Sequence, residues 1–98
     1  MNLNLDCFRD TLKCCIDHID YEETNHSWKI ITVNLDILYN SEELKNYSKK
    51  EIMSSVVYLD ECGFIKVSSK FPENRPYVDR CTIEGVTFIG HQFYENIR

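Results

Sequence analysis

The sequence predicts a small α+β domain that occupies residues 1–98 as a single unit. Three observations lead to this class: helical apolar spacing near the start, a Ser–Glu capping box in the middle, and short β-branched segments. With 43% hydrophobic and 28% charged residues, the composition is that of a globular protein. A chain of this length has room for one core and buries roughly two-thirds of its unfolded surface. It therefore does not need metal ions or disulfides to fold.

The first predicted helix covers residues 4–22. Its apolar residues recur every three or four positions, which places them on one face, while acidic residues fill the opposite face. Asn4 is a suitable N-cap residue, and Asp6 in the first turn complements the helix dipole. The apolar positions are Leu5, Phe8, Leu12, Cys15, Ile16 and Ile19.

A strand is predicted next, over residues 28–33, because this segment is β-branched and aromatic and follows polar turn residues. Trp28 opens this strand and is expected at the edge of the core. An exposed Trp28 would instead favour a partner interface. Short helical turns are predicted within residues 34–47.

A capped helix is predicted over residues 49–62. Ser48 and Glu51 form its capping box, and Gly63 occupies the position at which helices end in a left-handed conformation. Residues 64–69 then alternate like a half-buried strand. A second strand, residues 77–83, makes a hairpin with the first.

The chain closes with a helix that begins after Thr87, a good N-cap residue. A short helix, a capped helix and a β-hairpin in this order predict a winged helix, with the hairpin as the wing. The strand over residues 28–33 is expected to pair with that hairpin. The result would be a small three-stranded antiparallel sheet.

Three segments, residues 1–10, 59–65 and above all 86–98, are distinctive. They resemble domain-of-unknown-function family 2513, which comprises small winged-helix-like proteins of Gram-positive bacteria and their phages. The family tends to have a Tyr-His pair where this chain has Ser54-Ser55, so no role of that histidine is carried over. The resemblance implies a winged helix and a phage or prophage setting, and no activity, because the family has none assigned. The most specific motif is matched by Thr87, Gly90, His91, Phe93, Ile97 and Arg98.

The expected function is non-enzymatic regulatory binding, with DNA as the first candidate ligand. Although the chain has a net charge of −5, residues 45–80 carry seven basic and five acidic side chains. In a winged helix the third helix enters the major groove and the wing contacts phosphates. This helix contains no Arg, Asn or Gln to read bases, so its contacts would mainly be with phosphates. The predicted nucleic-acid contacts are Lys49, Lys50, Ser54, Lys70 and Arg75.

The alternative function is protein–protein interaction. The same surface offers an apolar set that suits the core of an interface. Residues 1–44 carry nine acidic and three basic side chains, which would repel DNA and attract a basic partner. A homodimer through the first and last helices would serve either function. The partner-binding residues of this alternative are Met53, Val57, Tyr58 and Phe71.

The first predicted helix contains candidate residues for metal binding or catalysis. Cys14 and His18 lie one helical turn apart, a spacing that places two ligands on one metal ion. Cys7 is ~16 Å from His18 along the helix, so zinc would need ligands from elsewhere in the chain or from a second subunit. Partly buried packing of these side chains is expected in place of a metal site, and no cofactor is expected. No catalytic residue is expected either, since nothing recognisable orients the imidazole or forms an oxyanion hole.

The cellular setting is inferred from three further features. Five cysteines are an odd number, and the first residues show neither the basic start nor the apolar segment of a signal peptide. No apolar run approaches the ~18–20 residues that cross a bilayer. The expected setting is therefore a reducing cytoplasm, without membrane contact.

Overall fold

The computed structural model describes residues 3–68 and 81–97, which form an α+β fold. Across these two ranges, no helix combines the length and the apolar character needed to span a membrane. Predicted contacts Lys70, Phe71 and Arg75 lie outside the described residues. The elements are α1 (Leu5–His18), β1 (Asp20–Thr24), β2 (Ser27–Ile31), β3 (Val33–Asn34), α2 (Leu35–Tyr39), a 3-10 helix (Glu42–Leu44), α3 (Lys49–Glu61), β4 (Ile65–Val67), β5 (Thr82–Val86) and α4 (Phe88–Ile97).

Helix α1 begins as predicted and ends earlier. Asn4 Oδ1 accepts a hydrogen bond from the Cys7 backbone N–H at 3.1 Å, which caps the first turn. The predicted end at residue 22 is wrong, because Ile19 is already extended and Asp20 begins strand β1. The helix ends there because residues 20–24 pair with residues 27–31 as a strand.

The predicted strand over residues 28–33 divides between two sheets. Strand β2 pairs with β1 in a separate antiparallel hairpin, in which Thr24 lies opposite Ser27. Only β3 joins the other sheet, where Val33 lies opposite Ile83. A strand is therefore confirmed at residues 28–31, but its predicted pairing with the hairpin that follows α3 is wrong, since β1 offers a partner across a much shorter turn.

The three-stranded antiparallel sheet has the order β3-β5-β4. Lys66 of β4 lies opposite Gly85 of β5, with a register shift immediately after it. Helices α1 and α3 pack on each other beside this sheet, and Leu12, Val56 and Ile83 are fully buried between these elements. The sheet and both helices thus share one hydrophobic core.

Helix α3 confirms the predicted capping box. The Glu51 N–H donates to Ser48 Oγ at 3.1 Å, and the Ser48 N–H donates to Glu51 Oε1 at 3.0 Å. The helix ends at Glu61, one residue before the predicted end. Gly63 has φ +74°, the left-handed conformation that its position predicts.

Helix α4 is fixed to the start of β4 by the closing motif. Thr87 Oγ1 accepts from the Gly90 N–H at 3.1 Å, as an N-cap residue, and donates to the Gly63 carbonyl at 2.6 Å. A Cβ on Gly90 would overlap the Phe64 carbonyl oxygen, so α4 lies directly on that backbone. The Phe64 and Phe93 rings stack with centroids 4.7 Å apart. The motif therefore has a structural explanation within this chain.

Candidate functional site

The predicted DNA-contact surface begins at the start of α3. Lys49 and Lys50 are both exposed there. Lys49 Nζ lies 5.4 Å from the centroid of the Tyr39 ring, a cation–π distance that restrains this side chain against α2. Lys66 on β4 is a further exposed cation. Two lysines of the predicted surface, Lys49 and Lys50, are thus described and exposed, and Lys66 was not among the predicted contacts.

Ser54 does not belong to that surface. It retains 4% of its exposure, and its hydroxyl has no hydrogen-bond partner among the residues that the structure describes. Helix α3 is covered by α1 on one side and by α2 on another, so its buried arc is wider than the apolar spacing predicts. The prediction that Ser54 faces outward is therefore wrong, because a buried hydroxyl does not reach a phosphate.

The predicted partner-binding residues on α3 are only half-exposed. Met53 and Tyr58 pack against the core, and Val57 is half-buried as well. Residues of this kind offer a partner limited area. The helix face alone is a modest interaction surface.

The hairpin β1–β2 carries a larger exposed apolar surface. Every residue of both strands is exposed. Tyr21 lies opposite Ile30, and Glu23 lies opposite Trp28, so these four side chains share one face of the hairpin. Tyr21 is 66%, Trp28 68% and Ile30 46% exposed. We call Tyr21, Glu23, Trp28 and Ile30 the hairpin face; exposed aromatic and branched side chains grouped in this way make it a candidate interaction site.

The surroundings of the hairpin face are acidic. The two strands contain Asp20, Glu22 and Glu23 against one basic residue, Lys29. This sheet contains only β1 and β2 within the described ranges, so the outer edge of each strand is not paired with another strand. The hairpin therefore combines apolar side chains, negative charge and free backbone edges.

A small cavity lies at the base of the hairpin. Its volume is ≈ 100 Å³, and Tyr21 lines it together with Ile19 of the preceding connection and His91 of α4. The cavity places Tyr21 at the junction of the hairpin with the rest of the domain. The amino-acid pattern did not reveal this region, because residues 20–24 are mostly polar and continue the acidic face of α1.

A cluster of metal-ligating side chains lies at the end of α1. Cys14 Sγ is 3.6 Å from His18 Nδ1, and the ligand atoms of Cys14, His18 and Glu43 all lie within 4.8 Å of one another. Burial raises the pKa of the Cys14 thiol to about 12, against the opposing effect of the Ser41 hydroxyl. Sequence reasoning singled out Cys14 and His18. It missed Glu43, which a separate element brings to them.

The chain matches no protein-family model, no curated protein and no solved structure. The likeness of residues 86–98 to family 2513 therefore stays a prediction.

Proposed function

We propose that this chain is a small winged-helix regulatory protein that binds another protein through the hairpin face. The winged-helix assignment is supported by the order of elements: α3 follows two short helices and precedes β4 and β5, and β3 pairs beside β5. The observation that carries the function is the exposure of Trp28, which is 68%. A tryptophan of the domain core would be largely buried.

The partner is a protein segment with basic and apolar side chains. Its apolar side chains would cover Tyr21, Trp28 and Ile30, while its cations would meet Glu23 on the same face and Asp20 and Glu22 on the same strand. The free edges of β1 and β2 allow such a segment to bind in an extended conformation, as an added strand.

DNA binding is the second candidate function. The exposed Lys49 and Lys50 at the start of α3 and Lys66 on β4 favour it, together with the predicted contacts Lys70 and Arg75. Against it, the described residues contain seven Lys and Arg and fourteen Asp and Glu. Because phosphate binding depends on a positive surface, this balance makes DNA the weaker candidate.

The only tryptophan of the chain provides the assay for the protein-binding function. A library of displayed peptides is selected against the full chain, and enriched peptides are titrated while Trp28 emission is recorded. The expected peptides are rich in Lys or Arg and in aromatic or branched residues. Their saturable binding shifts the emission to shorter wavelength as Trp28 leaves water.

Two isoleucine variants form a matched pair for this assay. Ile30 lies on the hairpin face, whereas Ile37 lies on α2, and they are 46% and 38% exposed. Ile30→Ser is expected to weaken peptide binding, and Ile37→Ser to leave it unchanged. Equal affinities of the two variants would reject the hairpin face as the binding surface.

DNA binding is tested in parallel by the polarisation of labelled duplex DNA at ~50 and ~200 mM salt. Binding that weakens steeply with salt, disappears in Lys49→Glu/Lys50→Glu and survives in Ile30→Ser would establish the second candidate. If the selection then yields no specific peptide, the protein-binding proposal fails. Sedimentation of the chain without peptide or DNA shows whether it associates with itself, which distinguishes self-association from peptide binding and from DNA binding.

A further inference from the structure

We propose that Cys14, His18 and Glu43 together bind one Zn²⁺ ion. This site is independent of the proposed protein-binding function. Cys14 and His18 lie four residues apart on α1, and Glu43 comes from the 3-10 helix that packs against α1. The third ligand that the helix alone does not provide is therefore supplied by another element of the same chain.

The distances between the ligand atoms suit a tetrahedral ion. Zinc bonds of ~2.3 Å to sulfur and ~2.0 Å to nitrogen at a tetrahedral angle separate these two atoms by about 3.5 Å. Cys14 Sγ and His18 Nδ1 are 3.6 Å apart. A Glu43 carboxylate oxygen lies within 4.8 Å of the Cys14 sulfur and of a ring nitrogen of His18, so a rotation of this exposed side chain would complete a three-ligand site.

The chemistry of the ligands favours zinc among divalent ions. Thiolate, imidazole and carboxylate are its ordinary ligands, and three protein ligands leave one position for water. On binding, the Cys14 thiol loses its proton to solvent, a sulfur–zinc bond forms, and no oxidation or reduction takes place. Cys14 is buried, while His18 and Glu43 are exposed, so the ion reaches the site from the solvent side.

Two polar contacts change when the ion binds. His18 Nδ1 lies 2.9 Å from the Cys14 carbonyl oxygen, so in the free protein the ring N–H donates to that carbonyl. Coordination through Nδ1 replaces this hydrogen bond. The Ser41 hydroxyl is buried beside the Cys14 thiol, where it would donate a hydrogen bond to a zinc-bound thiolate.

The ion would connect two parts of the chain close to the hairpin. It would join the last turn of α1 to the 3-10 helix, and β1 begins at Asp20, two residues after His18. Because zinc would bind the folded chain and not the unfolded one, its addition should raise the midpoint of thermal unfolding.

The test uses the full chain under reducing conditions, with Co²⁺ as a spectroscopic probe. The expected result is a thiolate-to-cobalt charge-transfer band with the intense visible bands of tetrahedral Co²⁺. Both should saturate at one equivalent and disappear when Zn²⁺ is added. Absence of the charge-transfer band at saturating Co²⁺ overturns the proposal.

Matched variants identify the ligands. His18→Ala and Glu43→Gln should each weaken binding at least about 10-fold. Their controls are His26→Ala, at another exposed histidine, and Glu42→Gln, at the neighbouring carboxylate that pairs with Lys45; both should leave binding unchanged. Because these four positions are exposed, their variants keep the fold, which circular dichroism checks.

The exposed Cys62 provides the last control. Cys62→Ser should retain the charge-transfer band, and Cys14→Ser should lose it. A band that is lost in Cys62→Ser identifies an adventitious surface thiol and overturns the proposal. A band that survives both His18→Ala and Glu43→Gln overturns it as well.

Discussion

Asn4 and Glu51 connect the N-termini of α1 and α3 through one side-chain hydrogen bond. Asn4 Nδ2 donates to Glu51 Oε2 at 2.7 Å, while Asn4 Oδ1 accepts from the Cys7 N–H. Glu51 Oε1 accepts from the Ser48 N–H at 3.0 Å. Two helix caps therefore share one pair of residues. The start of α3, with its exposed lysines, is held in a fixed position relative to α1.

Two substitutions distinguish the two roles of Asn4, which caps α1 and bonds to Glu51. Asn4→Ala removes both the cap and the bond to Glu51 and should lower the free energy of unfolding by about 1 kcal/mol or more. Asn4→Ser keeps a capping hydroxyl, but the serine side chain is too short to reach Glu51. The free energy of unfolding should therefore fall less in Asn4→Ser than in Asn4→Ala. Urea unfolding measures both variants: equal losses would mean that the cap contributes nothing, and an unchanged stability of Asn4→Ser would mean that the bond between the helices contributes nothing.

Glu51 makes stability depend on acidity. Hydrogen bonds from the Ser48 backbone and from Asn4 lower the pKa of this carboxyl group. The stabilisation is therefore present above the unfolded-state pKa, ~4.3, and is lost as the pH falls through the lower folded-state pKa. The stability difference between the wild type and Glu51→Gln should shrink between pH ~7 and pH ~3. Urea unfolding at both pH values checks this, and a constant difference contradicts it.

Substitution by alanine should destabilise the protein at Gly90 and have little effect at Gly85. In Gly90→Ala the new Cβ overlaps the Phe64 carbonyl oxygen and lies 3.0 Å from Val86 Cγ1, so α4 has to shift. The expected cost is about 1–3 kcal/mol of unfolding free energy. In Gly85→Ala the Cβ meets nothing within 4 Å. This variant is the control, and its thermal midpoint should stay close to that of the wild type.

Tyr47 should ionise at a higher pH than an ordinary tyrosine. Its hydroxyl donates to Asp10 Oδ2 at 2.7 Å, and this hydrogen bond raises the pKa of Tyr47 to about 12. The contribution to stability is present below the unfolded-state pKa, ~10, and is lost as the pH rises through the folded-state value. The phenolate absorbance of Tyr47→Phe should lack the most alkaline transition. Retention of that transition would assign it to another tyrosine.

The exposure of Trp28 can be checked without a partner. Because its side chain is 68% exposed, its emission maximum should lie close to that of tryptophan in water. Acrylamide should quench it nearly as well as it quenches a free tryptophan derivative. A short-wavelength, protected emission would show that the hairpin face is covered in solution.

Local chemistry made the helix ends predictable. The Ser48–Glu51 capping box, the left-handed Gly63 and the Thr87 cap each depend on residues within a few positions, and all three are confirmed. Helix α3 and the strand that follows it were predictable for the same reason, because the residues that define them lie within those segments.

The features that the sequence did not reveal depend on contacts between different segments of the chain. Residues 20–24 become a strand because residues 27–31 pair with them, although their own side chains continue a helical charge pattern. Ser54 is buried because two other helices cover α3. Glu43 reaches Cys14 only through the packing of the 3-10 helix on α1. Spacing along one segment contains no information on these contacts.

The outer edges of the hairpin strands, which pair with no other strand among the described residues, have a consequence for handling the protein. An open β edge can template the addition of further chains, which is the first step of aggregation. The carboxylates of Asp20, Glu22 and Glu23 oppose this, because two copies approaching edge to edge bring like charges together. High ionic strength screens that repulsion, so concentrated stocks should keep better in dilute buffer than in concentrated salt.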